Sequence, residues 1–173
     1  MQRILIVGPG GAGKSTLARS LGATLGLPVI HLDREYWRPG WQPTPTAEWH
    51  RRVDELIAGR AWIIDGNYSG SFASRLRAAD TVIFLGLPRR VYLGRVVRRW
   101  LRHRGRPRPD MAEGCPERLD WKFLQWLWTY ERHSRPRIVE QLRTAGPGVV
   151  VRTLSSAREV ERFVAGLTPH SPQ

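Results

Sequence analysis

The chain is poor in the residues that make covalent or metal frameworks. It has one cysteine, Cys115, in 173 residues, which excludes an internal disulfide framework and any cysteine-rich zinc site. A reducing interior is the expected home, and with no histidine near it in sequence Cys115 reads as a bystander. Lysine is almost missing as well, since Lys14 and Lys122 are the only lysines among 28 basic residues. Acidic residues number 15, so the formal net charge is +13. Such a balance attracts polyanions, whether nucleotides, nucleic acid or an acidic membrane surface; the competing explanation is a compositional preference for arginine spread over the surface. No apolar run approaches the ~20 residues of a membrane span, and "MQRILIVG" is too short for a signal peptide, so a soluble cytoplasmic protein is expected. There are no internal repeats.

What is present begins with "GPGGAGKST", residues 8–16. Gly8, Gly10 and Gly13 spell G-x-G-x-x-G, and Asp33 lies where a dinucleotide fold would put its ribose carboxylate. Gly8, Gly13, Lys14 and Ser15 equally spell G-x-x-x-x-G-K-[ST], the cradle of nucleoside triphosphate enzymes. Length favours the second, because the chain suits one domain and not two mononucleotide halves with a catalytic domain. Residue chemistry favours it too. In the loop that includes Pro9, glycines let the main-chain N–H groups of Gly8, Gly10, Gly11, Ala12 and Gly13 turn toward phosphate, Lys14 brings a cation to the β/γ-phosphates, and Ser15, followed by Thr16, reaches Mg²⁺. A dinucleotide fold needs no Lys-Ser pair there.

The pattern alternates strands and helices and predicts an α/β protein with a parallel sheet. "ILIV" (4–7) is a first strand, and Leu17, Leu21 and Leu25 recur at helical spacing. "PVIHLD" predicts a second strand ending at Asp33, "AWIID" a third ending at Asp65, "TVIFLGL" a fourth and "GVVVRTL" a fifth. Thr44-Pro45 marks a helix start ahead of Trp49, Val53, Leu56 and Ile57. Long helices are expected at about 89–104 and 117–142, and Ser156 with Glu159 has capping-box spacing for a last one. Residues 1–168 are expected to form one domain with an insert at about 103–118, and 169–173 a disordered tail.

Ligands of open α/β sheets sit beyond the carboxyl ends of the strands, where the glycine loop, Asp33 and Asp65 all fall. Asp65 closes an apolar strand in the manner of a Walker B carboxylate that holds Mg²⁺; a turn-forming aspartate before Gly66 is the alternative. Gly66 stands where motor ATPases place a water-activating glutamate, which disfavours a dedicated hydrolase. Asp33 is placed to orient or deprotonate an attacking hydroxyl, with a helix cap as its plainer role.

Arg95, Arg98, Arg99 and Arg102 share a helical stripe opposite Leu93, Val96, Val97, Trp100 and Leu101. The stripe is either a solvated basic face or the root of an arginine-bearing lid that continues through Arg104, Arg106 and Arg108. The aromatic run Trp121, Phe123, Trp126, Trp128 and Tyr130 predicts buried packing, with a partner surface as second reading. Trp37 and Trp41, in a Gly/Pro loop, either stack on a planar acceptor or anchor the loop.

With these residues in place the chain resembles the adenylate-kinase-like P-loop kinases. In detail it looks most like bacterial proteins labelled DNA topology modulation or FlaR-like, through "GPGGAGKST", "HLDREYWRPGW", "WIIDGNYS" and "RPDMAEGCPERLDWKFLQWLW". The resemblance implies a three-layer P-loop NTPase fold, with a five-stranded parallel sheet in the order 2-3-1-4-5, helices on both faces and an Arg-rich lid. It implies use of ATP and Mg²⁺, Arg95 stacking on adenine, Arg99 on phosphate, and Arg132 and Arg135 as further lid-side arginines. The chain departs from adenylate kinases after Asp65-Gly66, where Asn67, Tyr68 and Ser69 replace the segment bearing the acceptor-phosphate arginine; the nearest later arginine is Arg75. Asp33, Arg34, Trp37, Asn67, Tyr68 and Arg75 are therefore the acceptor candidates. The expected activity is transfer of the γ-phosphate of Mg·ATP to a small acceptor, with a nucleotide or nucleoside among the candidates. The alternative is an ATP-dependent nucleic-acid binder acting on DNA topology.

Overall fold

Ile4, Leu5, Ile6 and Val7 are all fully buried, which only a strand covered on both faces achieves. Successive side chains of a strand point to opposite faces, and these four divide accordingly. Leu5 and Val7 join one core cluster with Ile64, Val82 and Phe84, and Ile4 and Ile6 join another with Ile63, Ile83 and Leu85. Full burial of each such side chain contributes roughly 1.5–3 kcal/mol.

In the computed structural model, which describes residues 1–105, 110–118 and 120–167, β1 is Arg3–Val7, α1 Lys14–Leu25, β2 Val29–His31 and α2 Leu32–Tyr36. A small antiparallel hairpin, β3 (Trp37–Arg38) and β4 (Gln42–Pro43), precedes α3 (Thr46–Ile57) and β5 (Trp62–Asp65). A 3₁₀ turn (Ser69–Ser71), α4 (Phe72–Ala78), β6 (Thr81–Leu85), α5 (Arg89–His103), α6 (Trp121–Arg143), β7 (Val150–Leu154) and α7 (Ala157–Ala165) follow. The main sheet has five parallel strands in the order β2-β5-β1-β6-β7. Counted among the sheet's own strands this is 2-3-1-4-5, as the resemblance implied. α1 and α7 cover one face through Leu17, Leu21, Val160 and Phe163; α3, α4 and α6 cover the other through Trp49, Val53, Phe72, Tyr130 and Ile138. Among the described residues no helix is long and apolar enough to cross a membrane.

Two boundaries and two buried faces differ from the sequence reading. The second strand stops at His31, not Asp33, because its partner β5 ends at Asp65 opposite His31. Beyond that register the chain has no neighbouring strand, and it turns into α2 with Asp33 in its first turn, where the helix dipole favours an acid. α6 starts at Trp121 rather than 117, because Asp120 caps it by accepting from the N–H groups of Lys122 and Phe123 at 2.7 and 3.2 Å. The apolar face of α5 is Tyr92 and Val96, while Val97 and Leu101 are 47% and 65% exposed. The aromatic run of α6 divides likewise: Tyr130 is buried, but Trp121 and Trp128 are 77% and 62% exposed. The capping box of α7 is formed, with Glu159 N–H donating to Ser156 Oγ at 3.2 Å and Ser155 N–H to Glu159 Oε2 at 2.8 Å.

Candidate active site

β1 delivers the chain to the glycine loop at the middle of the sheet. Gly8, Gly11 and Gly13 have φ of +146°, +80° and +98°, a region L-residues avoid. Space adds a second constraint. A Cβ on Gly8 would lie 2.6 Å from the carbonyl oxygen of Leu85, and one on Gly11 2.4 Å from that of Tyr92. On Gly10 it would meet the Phe123 ring at 2.7 Å. The loop runs into α1, whose first turn carries no acidic residue and whose Ncap, Gly13, has no side chain to occupy the N–H groups. Free N–H groups at a helix start with the dipole behind them form an anion site.

Lys14 folds back over this loop and donates from Nζ to the carbonyl oxygens of Gly8 and Pro9, at 3.0 Å each. Burial, the largest influence, lowers its pKa, against the upward pull of Asp65 and then Asp33. An ammonium balanced in this way, next to two carboxylates and a row of N–H groups, is poised to exchange carbonyl partners for phosphate oxygens.

Asp65 ends β5 beside Ile6 of β1, is 5% exposed and faces the cleft. His31 Nδ1 lies 2.7 Å from its Oδ1, a partner that sequence reasoning missed. The signal was a lone imidazole at the end of the apolar run "PVI". Asn67, two residues past Asp65, clasps the glycine loop in both directions: Gly8 N–H donates to Oδ1 at 3.0 Å, and Nδ2 donates to Gly8 O at 2.9 Å.

Arg75 explains why Asn67 stays there. It is fully buried, with Nε donating to Ser71 O at 3.2 Å, Nη1 to Gly66 O at 2.9 Å, and Nη2 to Tyr68 O at 2.8 Å and to Asn67 O. Burial pulls the guanidinium down to about 9, against Tyr68, so it stays protonated at neutral pH. The structure therefore does not bring Arg75 to the acceptor side; it holds the main chain of 66–68 from within.

Asp33 accepts from Tyr68 Oη at 2.7 Å. Burial and the neighbouring Asp33 carboxylate raise the Tyr68 pKa, so the phenol remains a donor. Trp37 packs edge-on against Tyr36 and Trp41, with ring centroids 5.0 and 5.5 Å apart. The hairpin that carries both tryptophans is tied to the segment before α6: Gly40 N–H donates to Gly114 O at 2.9 Å, Cys115 Sγ to Arg38 O at 3.2 Å, and Trp41 Nε1 to Pro116 O at 3.1 Å. Cys115 thus has a structural task.

α5 brings two of the predicted arginines to the loop. Arg95 donates from Nη1 to Ala12 O at 3.1 Å, and Arg99 pairs with buried Glu117 at 3.1 Å, a second residue missed in sequence. Glu117 also closes the base of the insert, bridging Arg104 and accepting from Gly105 N–H at 3.3 Å.

A cleft of about 1260 Å³ joins these parts. Gly10, Gly11, Ala12, Gly13, Lys14, Ser15, Thr16, Asp33, Trp37, Asp65, Asn67, Tyr68, Arg95, Arg99 and Arg102 all line it. Gly8 and Pro9 do not line it; their carbonyls accept from Lys14, and the Gly8 N–H is taken by Asn67. Arg34, Arg98 and Arg132 are exposed and do not line the cleft, and Arg135 pairs with Glu131 at 3.0 Å on the outer face of α6. The stripe on α5 is split because only the turn positions of 95, 99 and 102 face the cleft. Arg106 and Arg108 lie outside the described residues. Trp41, Phe123, Trp126, Met111, Asp110 and Arg118 also line it. Among the described residues no group of three or more His, Cys, Asp or Glu side chains forms a metal cage.

No family model matches the chain, and no curated protein matches it. Solved structures do. Shikimate kinase from Acinetobacter baumannii, in complex with shikimate, superposes with a TM-score of 0.62 at 19% identity, covering 95% of this chain and 89% of that one. Shikimate kinase from Bacteroides thetaiotaomicron gives 0.57 at 19% identity, over 95% and 94%. A sugar kinase from Janibacter sp. HTCC2649, unliganded, gives 0.53 at 20% identity, over 95% and 93%. These comparisons lend nothing to the narrower likeness to topology modulation proteins. At such identities the likeness is one of fold: the chain has the three-layer α/β fold of P-loop kinases.

Proposed function

We propose that the protein is an ATP-dependent phosphotransferase that moves the γ-phosphate of Mg·ATP to a hydroxyl of a small acceptor in the cytoplasm. The observation that carries this reading is the position of Lys14, half-buried and folded over the glycine loop with Nζ on the carbonyl oxygens of Gly8 and Pro9, in the cleft that Asp65 and Asp33 also line. Transfer needs a phosphate cradle, a metal carboxylate and an acceptor carboxylate around one point; the glycine loop after β1, Asp65 at the end of β5 and Asp33 in the first turn of α2 would supply them. The neighbours in fold are kinases by name, which supports the same class.

The donor set fits Mg²⁺, since Ser15 and Asp65 offer hard oxygen ligands and the metal takes most of its shell from water and phosphate. When bound it neutralises charge on the β- and γ-phosphate oxygens. Ser15 and Asp65 would hold it, with His31 fixing Asp65 through Oδ1. Lys14 and Arg99 stabilise phosphoryl charge, and Arg95 braces the loop and the adenine side. Asp33, oriented by Tyr68, takes the acceptor hydroxyl proton as the acceptor oxygen bonds to the γ-phosphorus and the bond to the β-bridging oxygen breaks. The products are a phosphomonoester, ADP and a proton.

The test is ADP release from Mg·ATP across nucleosides, nucleoside monophosphates and small polyols, each against the no-acceptor background. At least one acceptor is expected to raise release and to carry the phosphate afterwards. ATP hydrolysis stimulated only by DNA, with no phosphorylated acceptor, would favour the nucleic-acid reading instead.

A further inference from the structure

We propose that the acceptor is an uncharged, hydroxyl-bearing molecule built on a planar ring, an inference that rests on the phosphotransferase reading above. Its first support is the fate of the arginine nearest the acceptor side in sequence. A phosphate or carboxylate on an acceptor is ordinarily gripped by a bidentate guanidinium. Arg75 is the first arginine after Asp65, and four of its N–H groups are engaged by the carbonyls of Gly66, Asn67, Tyr68 and Ser71. Being fully buried, it cannot reach the cleft without dismantling the segment that clasps the glycine loop.

The second support is electrostatic. Arg118, the arginine that lies over the Trp41 ring of the hairpin, pairs with Asp120 at 3.5 Å, so the guanidinium beside the hairpin faces a protein carboxylate. Asp33 lines the same cleft, and its carboxylate raises the cost of a second anion placed directly beside it.

The third support is the wall itself. Trp37, Trp41, Tyr68, Phe123 and Trp126 all face the cleft, and Phe123 and Trp126 are stacked with centroids 5.8 Å apart at 26°. Trp41 has φ +64°, a conformation that costs a bulky residue on the order of 1 kcal/mol or more. The cost is sustained by its indole N–H on Pro116 O and by Arg118 above the ring at 5.0 Å. A strained tryptophan fixed by these contacts, in a cleft that other rings also line, offers aromatic surface to whatever enters. A planar ring matches it by stacking, while its hydroxyl reaches Asp33.

The experiment fills the donor side with a non-hydrolysable ATP analogue and Mg²⁺, and then titrates matched probes calorimetrically. The pairs are adenosine with AMP, thymidine with TMP, and benzyl alcohol with benzyl phosphate; shikimate and glucose are the non-planar controls. In at least one pair the uncharged member is expected to bind tenfold or more tightly than its phosphorylated partner and than either control. Trp37→Ala should weaken that binding tenfold while the analogue binds unchanged, and Trp37→Phe should restore most of it. Preference for the phosphorylated members, tighter binding of shikimate or glucose, or no binding of any uncharged planar probe at millimolar concentration with the analogue bound would overturn the inference alone. Failure of the analogue itself to bind the folded protein would overturn the phosphotransferase reading and this inference together.

Discussion

The two sides of the cleft are made differently. The side we assign to the donor is main chain: glycines whose missing Cβ atoms leave room for Leu85, Tyr92 and Phe123, a helix start, and one lysine. The side we assign to the acceptor is side chain: two tryptophans on a hairpin, a tyrosine on a carboxylate, and Trp126 of α6. A triphosphate is the same in every enzyme that uses it, so its cradle can be a fixed backbone form. An acceptor varies, and its site is assembled from residues whose meeting depends on tertiary packing.

The largest expected effect falls where the two sides meet. Asp33→Asn should lower acceptor phosphorylation by roughly 10²- to 10⁴-fold and leave Mg·ATP binding largely intact, as read by steady-state kinetics beside nucleotide titration. Equal loss in both would place Asp33 on the donor side and erase the division.

Gly8→Ala tests the backbone character of the donor side. Its Cβ would press on main-chain Leu85 O at 2.6 Å with φ at +146°, and the neighbour cannot swing away. A loss of about 2–4 kcal/mol in chemical denaturation is expected, together with loss of nucleotide binding. A stable variant that binds ATP would show that the loop tolerates a side chain.

Arg75→Met probes the support beneath the acceptor side. It leaves the carbonyls of Gly66, Asn67 and Tyr68 without their buried donor and is expected to cost about 3 kcal/mol; Arg75→Lys should recover part of it. If Arg75 instead contacted the acceptor, acceptor KM would rise with stability unchanged.

The smallest effect lies away from the cleft. Asp80 accepts from the N–H groups of Gln2 and Arg3 at 2.7 and 2.8 Å and from Thr81 Oγ1 at 2.7 Å. Partial burial pushes its pKa up, but these donors outweigh it and hold the carboxyl below its ordinary value. A depressed folded pKa gives stability that is present above the ordinary carboxylate range and is lost as pH falls through it. Asp80→Asn should cost about 1 kcal/mol at neutral pH, discounted for exposure, and flatten that part of the acid limb of the stability profile.

The same contrast sets what was legible in the sequence. The glycine loop, Asp65 and the five strands follow from local motifs and from apolar runs bounded by turn signals, while the sheet order follows from the resemblance, and they stand where expected. Asp33 reached the cleft although its strand ended two residues early, since a strand end and a first helical turn occupy the same edge of the sheet. Arg75 was misplaced because one-dimensional distance from Asp65 says nothing of which way α4 turns. His31 and Glu117 escaped notice because each owes its role to a partner far along the chain, Asp65 and Arg99 respectively. Periodicity groups Val97 and Leu101 on the face of Val96, but it assigns a face and not what lies against it; Trp121 and Trp128, expected to be buried with a partner surface as second reading, are exposed.

Titration of Mg·ATP into wild type and Lys14→Ala, with melting temperature measured alongside, tests the central claim most directly. Lys14 has only loop carbonyls as hydrogen-bond partners in the described structure, so the variant should melt close to wild type while nucleotide affinity falls at least tenfold and turnover by roughly 10²- to 10³-fold. Unchanged Mg·ATP binding and turnover by the folded variant, or preferential binding of a dinucleotide by the wild type, would contradict the account.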